Sequence, residues 1–209
     1  MKNINVDEDI YATDFGNSLK AIINDLMNSN FERNKNTGAP FSFSENQLRK
    51  HFSRFSEDIN SRTSIPKMVI ERKIKGDFQS SSKKHGGTDY FYVKNLSNSY
   101  VHTDILATFE VKGPTRSSLL MGSRVNWYPK IIRDLEKQSW RNINFHGSLN
   151  YIVLLIKPYK NMDAHNQVQS LLRLMESEVK GIHLLECYWE SILVRSAILN
   201  ILIARVITI

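Results

Sequence analysis

The sequence predicts an α/β fold, a three-layer sandwich with a central mixed β-sheet flanked by helices. Three observations predict it. Amphipathic helical stretches alternate with runs rich in aromatic and β-branched residues. Three of those runs follow one another between residues 68 and 112, separated only by turn-rich segments. A fourth run, LNYIVLLI, is apolar almost without a break, as in a strand buried on both faces.

The elements follow in order. Residues 14–29 predict a first helix, with Leu19, Ile22, Ile23 and Leu26 on one side. FERNKNTGAPFSF reads as a loop. Ser44 suits an N-cap for ENQLRKHFSRFSEDI, where Leu48, Phe52, Phe55 and Ile59 recur at helical spacing. MVIERKIKGDF predicts a first strand, SSSKKHGG a basic loop, and DYFYVKN a second strand. VHTDILATFEVK predicts the third, ended by Gly113-Pro114. A helix is expected over 127–139 on Trp127, Ile131, Ile132 and Leu135. NINFHGS is then a loop and LNYIVLLI a strand. Asp163 caps AHNQVQSLLRLMESEV, and GIHLLE is a last strand. The expected division is an N-terminal helical extension (1–43), an α/β core (44–186) and an apolar C-terminal segment (187–209) that packs on the core or on a partner.

Composition narrows the function classes. A hydrophobic content of 41% across 209 residues suits one domain with a real core and argues against a disordered chain. Lys and Arg number 28 against 21 acids, a net charge of +7, which favours a polyanionic partner such as nucleic acid. A solvated basic surface is the alternative. The single cysteine, Cys187, excludes an internal disulfide and a CxxC zinc site. It fits a cytoplasmic or other reducing intracellular compartment. The opening MKNINVDEDIYATDF is polar and acidic, unlike a secretory signal. The tail SILVRSAILNILIARVITI is interrupted by Arg195, Asn200 and Arg205, so a buried segment is expected and no membrane span.

The third strand carries the chemistry. Side chains alternate faces along a strand. Val101, Thr103, Ile105, Ala107, Phe109 and Val111 are expected to face a core. Glu110 and Lys112 then share the other face, about 7 Å apart. A carboxylate there can hold a divalent metal, joined by the Val111 carbonyl, while Lys112 orients or deprotonates a water. A solvated salt bridge is the competing reading. Asp89, after a Gly-Gly turn on the preceding strand, can supply the second oxygen ligand.

Asp89 followed by Glu110-Val111-Lys112, in a helix–three strands–helix–strand order, resembles the PD-(D/E)xK nuclease superfamily. The resemblance covers roughly residues 44–186. It implies a restriction-endonuclease-like core (αβββαβ) and Mg²⁺-dependent phosphodiester hydrolysis by a metal-activated water, with Mn²⁺ as a substitute. Asp89 and Glu110 would be metal ligands and Lys112 the water-positioning group. Thr88 stands where the family name has proline. A simple hairpin turning at Ser97 pairs Asp89 with Ile105, so an asymmetric loop or a bulge has to bring it to Glu110. Members often add a glutamate from the preceding helix, for which Glu45 is the candidate. His51 would be a ligand if the chain followed the cap-snatching RNA endonucleases. Glu71 is a further outlying acid. The Gln-x-x-x-Tyr motif of the exonuclease branch is missing, because Asn142 stands four residues after Gln138.

Lys83, Lys84, Arg116, Arg124, Lys130 and Arg133 are the candidate phosphate contacts. The resulting expectation is a DNA endonuclease, of a restriction or defence kind. Double-strand cutting implies a homodimer, with the apolar tail as its interface. An RNA endonuclease and an inactive nucleic-acid-binding module are the alternatives.

Overall fold

The computed structural model describes residues 9–33, 45–61, 66–78, 88–116, 128–157, 163–194 and 197–209. The helices are α1 (Ile10–Arg33), α2 (Glu45–Ser61), α3 (Tyr128–Asn144) and α4 (Ala164–Glu178). The strands are β1 (Lys67–Arg72), β2 (Ile74–Lys75), β3 (Thr88–Val93), β4 (Tyr100–Val101), β5 (Ile105–Arg116), β6 (Leu149–Lys157), β7 (Ile182–Val194) and β8 (Ala197–Thr208). Six strands form one mixed sheet in the order β1-β3-β5-β6-β8-β7, and β2 and β4 form a small parallel pair beside it. The fold is mixed α/β with helices on both faces of the sheet, as expected in outline.

Strand alternation builds the two cores. In β6, Tyr151, Val153 and Leu155 enter one with α1 and α2, while Ile152, Leu154 and Ile156 enter the other with α3 and α4. The apolar run is therefore a strand covered on both sides. Leu19, Ile22, Ile23 and Leu26 of α1 are all buried, as the periodicity predicts. Phe15 stacks on Phe109 at 4.1 Å between ring centroids, and Phe109 stacks on Tyr151 at 4.7 Å. Asp9 accepts from Ala12 N and from the Tyr151 hydroxyl, so the helix start is pinned to the sheet. The first helix is thus part of the core, whereas an extension was expected.

Several boundaries move. The first strand breaks at Lys73, and Asp77 lies in the turn after β2. Residues 102–104 form a 3-10 turn, because the Asp104 carboxylate accepts from Val101 N at 2.9 Å and bends the chain. Val101 and Thr103 are exposed, contrary to the expected core face. The third strand starts at Ile105 and continues past Gly113-Pro114 to Arg116, with a register shift against β6 between Lys112 and Thr115. Helix α3 extends to Asn144, into the expected loop. Asp163 caps α4, accepting from His165 N at 2.9 Å.

The C-terminal segment lies inside the sheet. β8 pairs antiparallel with β6 on one side and β7 on the other. The expected division at 186/187 falls within β7, at a register shift between Glu186 and Tyr188 that leaves Cys187 out of the pairing. The strand continues through it. Among the described residues, no helix is long and apolar enough to cross a membrane. Ser44, Trp127 and Arg195 lie outside the described residues.

Candidate functional site

The site lies where β3 meets β5, with side chains of α3 reaching over β5. Tyr90 pairs with Phe109, Phe91 with Thr108 and Tyr92 with Ala107. One residue further, the same ladder sets Asp89 level with Glu110. The connection between the strands is asymmetric, and a bulge between Tyr92 and Val93 shifts the pairing by one more residue. Together they move the partner of Asp89 from Ile105 to Glu110, which a simple hairpin does not do. Asp89 Oδ2 accepts from Val111 N at 3.0 Å and lies 4.0 Å from Lys112 Nζ. Val111 thus meets Asp89 through its N–H. Asp89, Glu110 and Lys112 are brought together on one face.

That face is covered. Thr108 and Glu110 are buried, not solvated, because α3 presents a polar stripe to them. Gln138 Nε2 donates to Tyr151 O at 2.8 Å, and its carbonyl oxygen lies 2.9 Å from the Thr108 hydroxyl. Asn142 donates to Val206 O and accepts from Asn150. Lys137 Nζ reaches Glu110 Oε1 at 2.6 Å, and Arg141 Nη1 donates to the same oxygen at 3.0 Å. The Arg141 guanidinium is fully buried and also forks onto both oxygens of Asp77. Asp134 Oδ2 lies 2.9 Å from Lys112 Nζ, a close ion pair. Arg49 Nη2, from α2, lies 3.6 Å from Asp89 Oδ1.

Electrostatics follow from this crowding. Burial, then repulsion from Glu110, pushes Asp89 up to about 7, with Lys112 and the Val111 N–H pulling the other way. Burial and Glu110 likewise raise Asp134 to about 6 against Lys112. Burial disfavours the Lys112 ammonium, but Asp134 and Asp89 outweigh it and hold its pKa above the ordinary lysine value. The charged form of Lys112 is therefore favoured. Burial works against Asp77 too, yet Arg141 keeps it below the usual carboxylate range.

The oxygen donors suit a hard dication in part. Asp89 and Glu110 oppose each other across two strands, and none of the Glu110 contacts above uses Oε2. Two carboxylates and a carbonyl fit an ion that retains several waters. A closed cage is not built: among the described residues, no group of three or more His, Cys, Asp or Glu side chains is arranged to hold a metal.

Other candidates separate from this cluster. Glu45 opens α2, but its side chain and that of Glu71 lie outside those described. His51 Nδ1 lies 3.5 Å from Asp25 Oδ2 on α1 and is not among the contacts of Asp89, Glu110 or Lys112 given above. Lys130 and Arg133 are exposed on α3, and Arg116 ends β5 with its side chain not described. Lys83, Lys84 and Arg124 lie outside the described residues. Sequence reading missed Asp77, Arg49, Asp134, Lys137 and Arg141. A signal for three of them exists: Asp134, Lys137, Gln138 and Arg141 recur at helical spacing beside the apolar stripe of Ile131 and Leu135. A polar stripe adjoining the buried face of a helix is a candidate for a buried network.

Against protein-family models, curated proteins and solved structures, the chain gives no match.

Proposed function

We propose that the protein is a metal-dependent nuclease, hydrolysing phosphodiester bonds with a metal-activated water on a restriction-endonuclease-like core. One observation carries the reading. The β3–β5 register gathers a carboxylate from each strand and an ammonium, Asp89, Glu110 and Lys112, on one sheltered face. The element order supports it: α2, antiparallel β1-β3-β5, then α3 and a parallel β6. Asp89 and Glu110 would hold Mg²⁺ or Mn²⁺, joined by the Val111 carbonyl. When bound, the ion lowers the pKa of a coordinated water and offsets phosphate charge. Lys112, kept charged by Asp134, orients that water and faces the developing negative charge. Arg141 fixes the Glu110 carboxylate, and Asp77 in turn fixes Arg141.

DNA is the favoured polymer, bound through phosphate contacts from the basic residues around the site, in a restriction or defence role. A homodimer suits double-strand cutting. With β8 inside the sheet, an interface in the tail would use the edge strand β7. The RNA-cleaving alternative would call on His51, whose Nδ1 lies 3.5 Å from Asp25 Oδ2.

The clamp on Glu110 favours one competing reading. Lys137 and Arg141 supply positive charge where a metal would, as in a module that holds nucleic acid without cutting it. Incubating supercoiled plasmid and single-stranded RNA with Mg²⁺, Mn²⁺ or EDTA separates the two. The nuclease reading expects metal-dependent nicking that falls by about a hundredfold or more in Lys112→Ala. Equal activity in both proteins sinks the site, and salt-sensitive binding without cleavage favours the inactive module.

A further inference from the structure

The two cations on Glu110 differ in exposure and in side-chain chemistry. Arg141 is buried and locked, forked onto Asp77 and donating to both Glu110 and Gln138. Lys137 reaches the same oxygen from one turn earlier on α3, and its side chain keeps 11% of its surface exposed. Its ammonium sits on a flexible four-carbon stem, which can turn outward while the helix stays in place. A carboxylate oxygen has two lone pairs. Lys137 and Arg141 occupy both on Oε1, so the Glu110 charge is already matched in the metal-free protein. A dication at Glu110 has to share Oε1 with them or sit on Oε2, close to the ammonium. In a buried setting that repulsion is strong, and water does little to screen it.

We infer that Lys137 is a built-in competitor for divalent metal at Glu110, holding the carboxylate in the metal-free protein and leaving Oε1 when a dication binds. This rests on the metal-dependent reading given above. Arg141 stays, because its departure would strand the Asp77 carboxylate it holds. Lys137 therefore sets the affinity of the site for metal.

The test is calorimetric titration of the full chain with Mn²⁺ alone, comparing wild type, Lys137→Met and Lys137→Arg. Methionine retains much of the apolar stem and removes the charge. Lys137→Met is expected to bind Mn²⁺ about tenfold or more tightly than wild type, and Lys137→Arg no more tightly than wild type. A second measurement needs no variant, and carries the test if Lys137→Met does not fold. Lys137 of the wild type should resist amine acetylation in EDTA and become reactive when Mn²⁺ is added, as read by mass spectrometry. Equal or weaker Mn²⁺ binding by Lys137→Met overturns the inference, as does a Lys137 that stays protected at saturating Mn²⁺. Metal-dependent cleavage by the wild type would then leave the nuclease reading standing. No Mn²⁺ binding by any of the proteins overturns both.

Discussion

At Asp89 burial and charge conflict. Its folded pKa is raised to about 7, from burial first and Glu110 second, against 3.8 for the ordinary carboxyl. The folded protein therefore holds a proton between about pH 4 and 7 that the unfolded chain has released. Stability from this group is full below about pH 4 and is lost as pH rises to 7. Asp134, raised to about 6, acts in the same direction. Asp77 is lowered, so its contribution is lost only below the ordinary carboxylate range, outside that window. In EDTA the wild type is expected to have a higher urea midpoint at pH 5 than at pH 8. Asp89→Asn keeps an acceptor for the Val111 N–H and removes the charge. It should flatten the slope and exceed the wild type at pH 8 by on the order of 2 kcal/mol. Identical slopes for the two proteins would refute the buried charge conflict. The shared face of Glu110 and Lys112 was legible in the sequence from strand alternation, whereas the placing of Asp89 beside them depends on an asymmetric loop and a bulge that alternation does not show. Asp134, Lys137 and Arg141 were not read, because charged residues on a helix suggest solvent, and only the covering sheet buries them.

At the scale of elements, β5 and α3 position the site together. Alternation along β5 sends Ala107, Phe109 and Val111 into the α1–α2 core and Thr108, Glu110 and Lys112 under α3. The stretch of β5 from Ala107 to Lys112 follows the sequence pattern, whereas Ile105, expected on the same face, packs with Phe91 and Phe145, and Leu106 lies against the α1–α2 core. The ends of the strand depart from the pattern too. The Asp104 turn shortens the start, and side-chain hydrogen bonding of this local kind leaves little trace in hydrophobic periodicity. At the other end, Gly113 permits the strand to continue. Its φ is +113°, and a Cβ there would lie 2.4 Å from the Leu155 carbonyl oxygen. Gly-Pro reads as a stop, yet here the glycine allows a close backbone approach to β6. Gly113→Ala meets both backbone strain and a fixed carbonyl, so a loss of about 2–4 kcal/mol is expected in chemical denaturation. The shift falls next to Lys112, so the Lys112–Asp134 pair should loosen as well. A variant as stable as the wild type would show that the β5–β6 approach has slack the structure does not contain.

The whole molecule is less divisible than the sequence suggests. Local periodicity identifies an apolar strand but does not say which strand it joins, and β6 and β8 are about equally apolar. The insertion of β8 between β6 and β7 was therefore not legible, although a buried tail was. β8 contributes five large buried side chains, Leu199, Ile201, Leu202, Ile203 and Val206, shared between the two main cores. Each is worth roughly 1.5–3 kcal/mol when removed from water, so their sum rivals the typical net stability of a domain, about 5–15 kcal/mol. β7 also depends on β8 for its ladder in the sheet, and α1 packs over both. Residues 44–186 should consequently fail as an independent core. A chain cut after residue 186 is expected to lack a cooperative thermal transition and near-ultraviolet circular dichroism, while the full chain shows both. Metal-dependent cleavage, if the full chain has it, should vanish with the cut, although Asp89, Glu110 and Lys112 all remain. A cooperative transition in the shortened chain, within a few degrees of the full one, would mean that β1-β3-β5-β6 and its helices hold the site without β8. The sheet would then be a nuclease-like core with an appended hairpin, and not the single cooperative unit that the two shared cores imply.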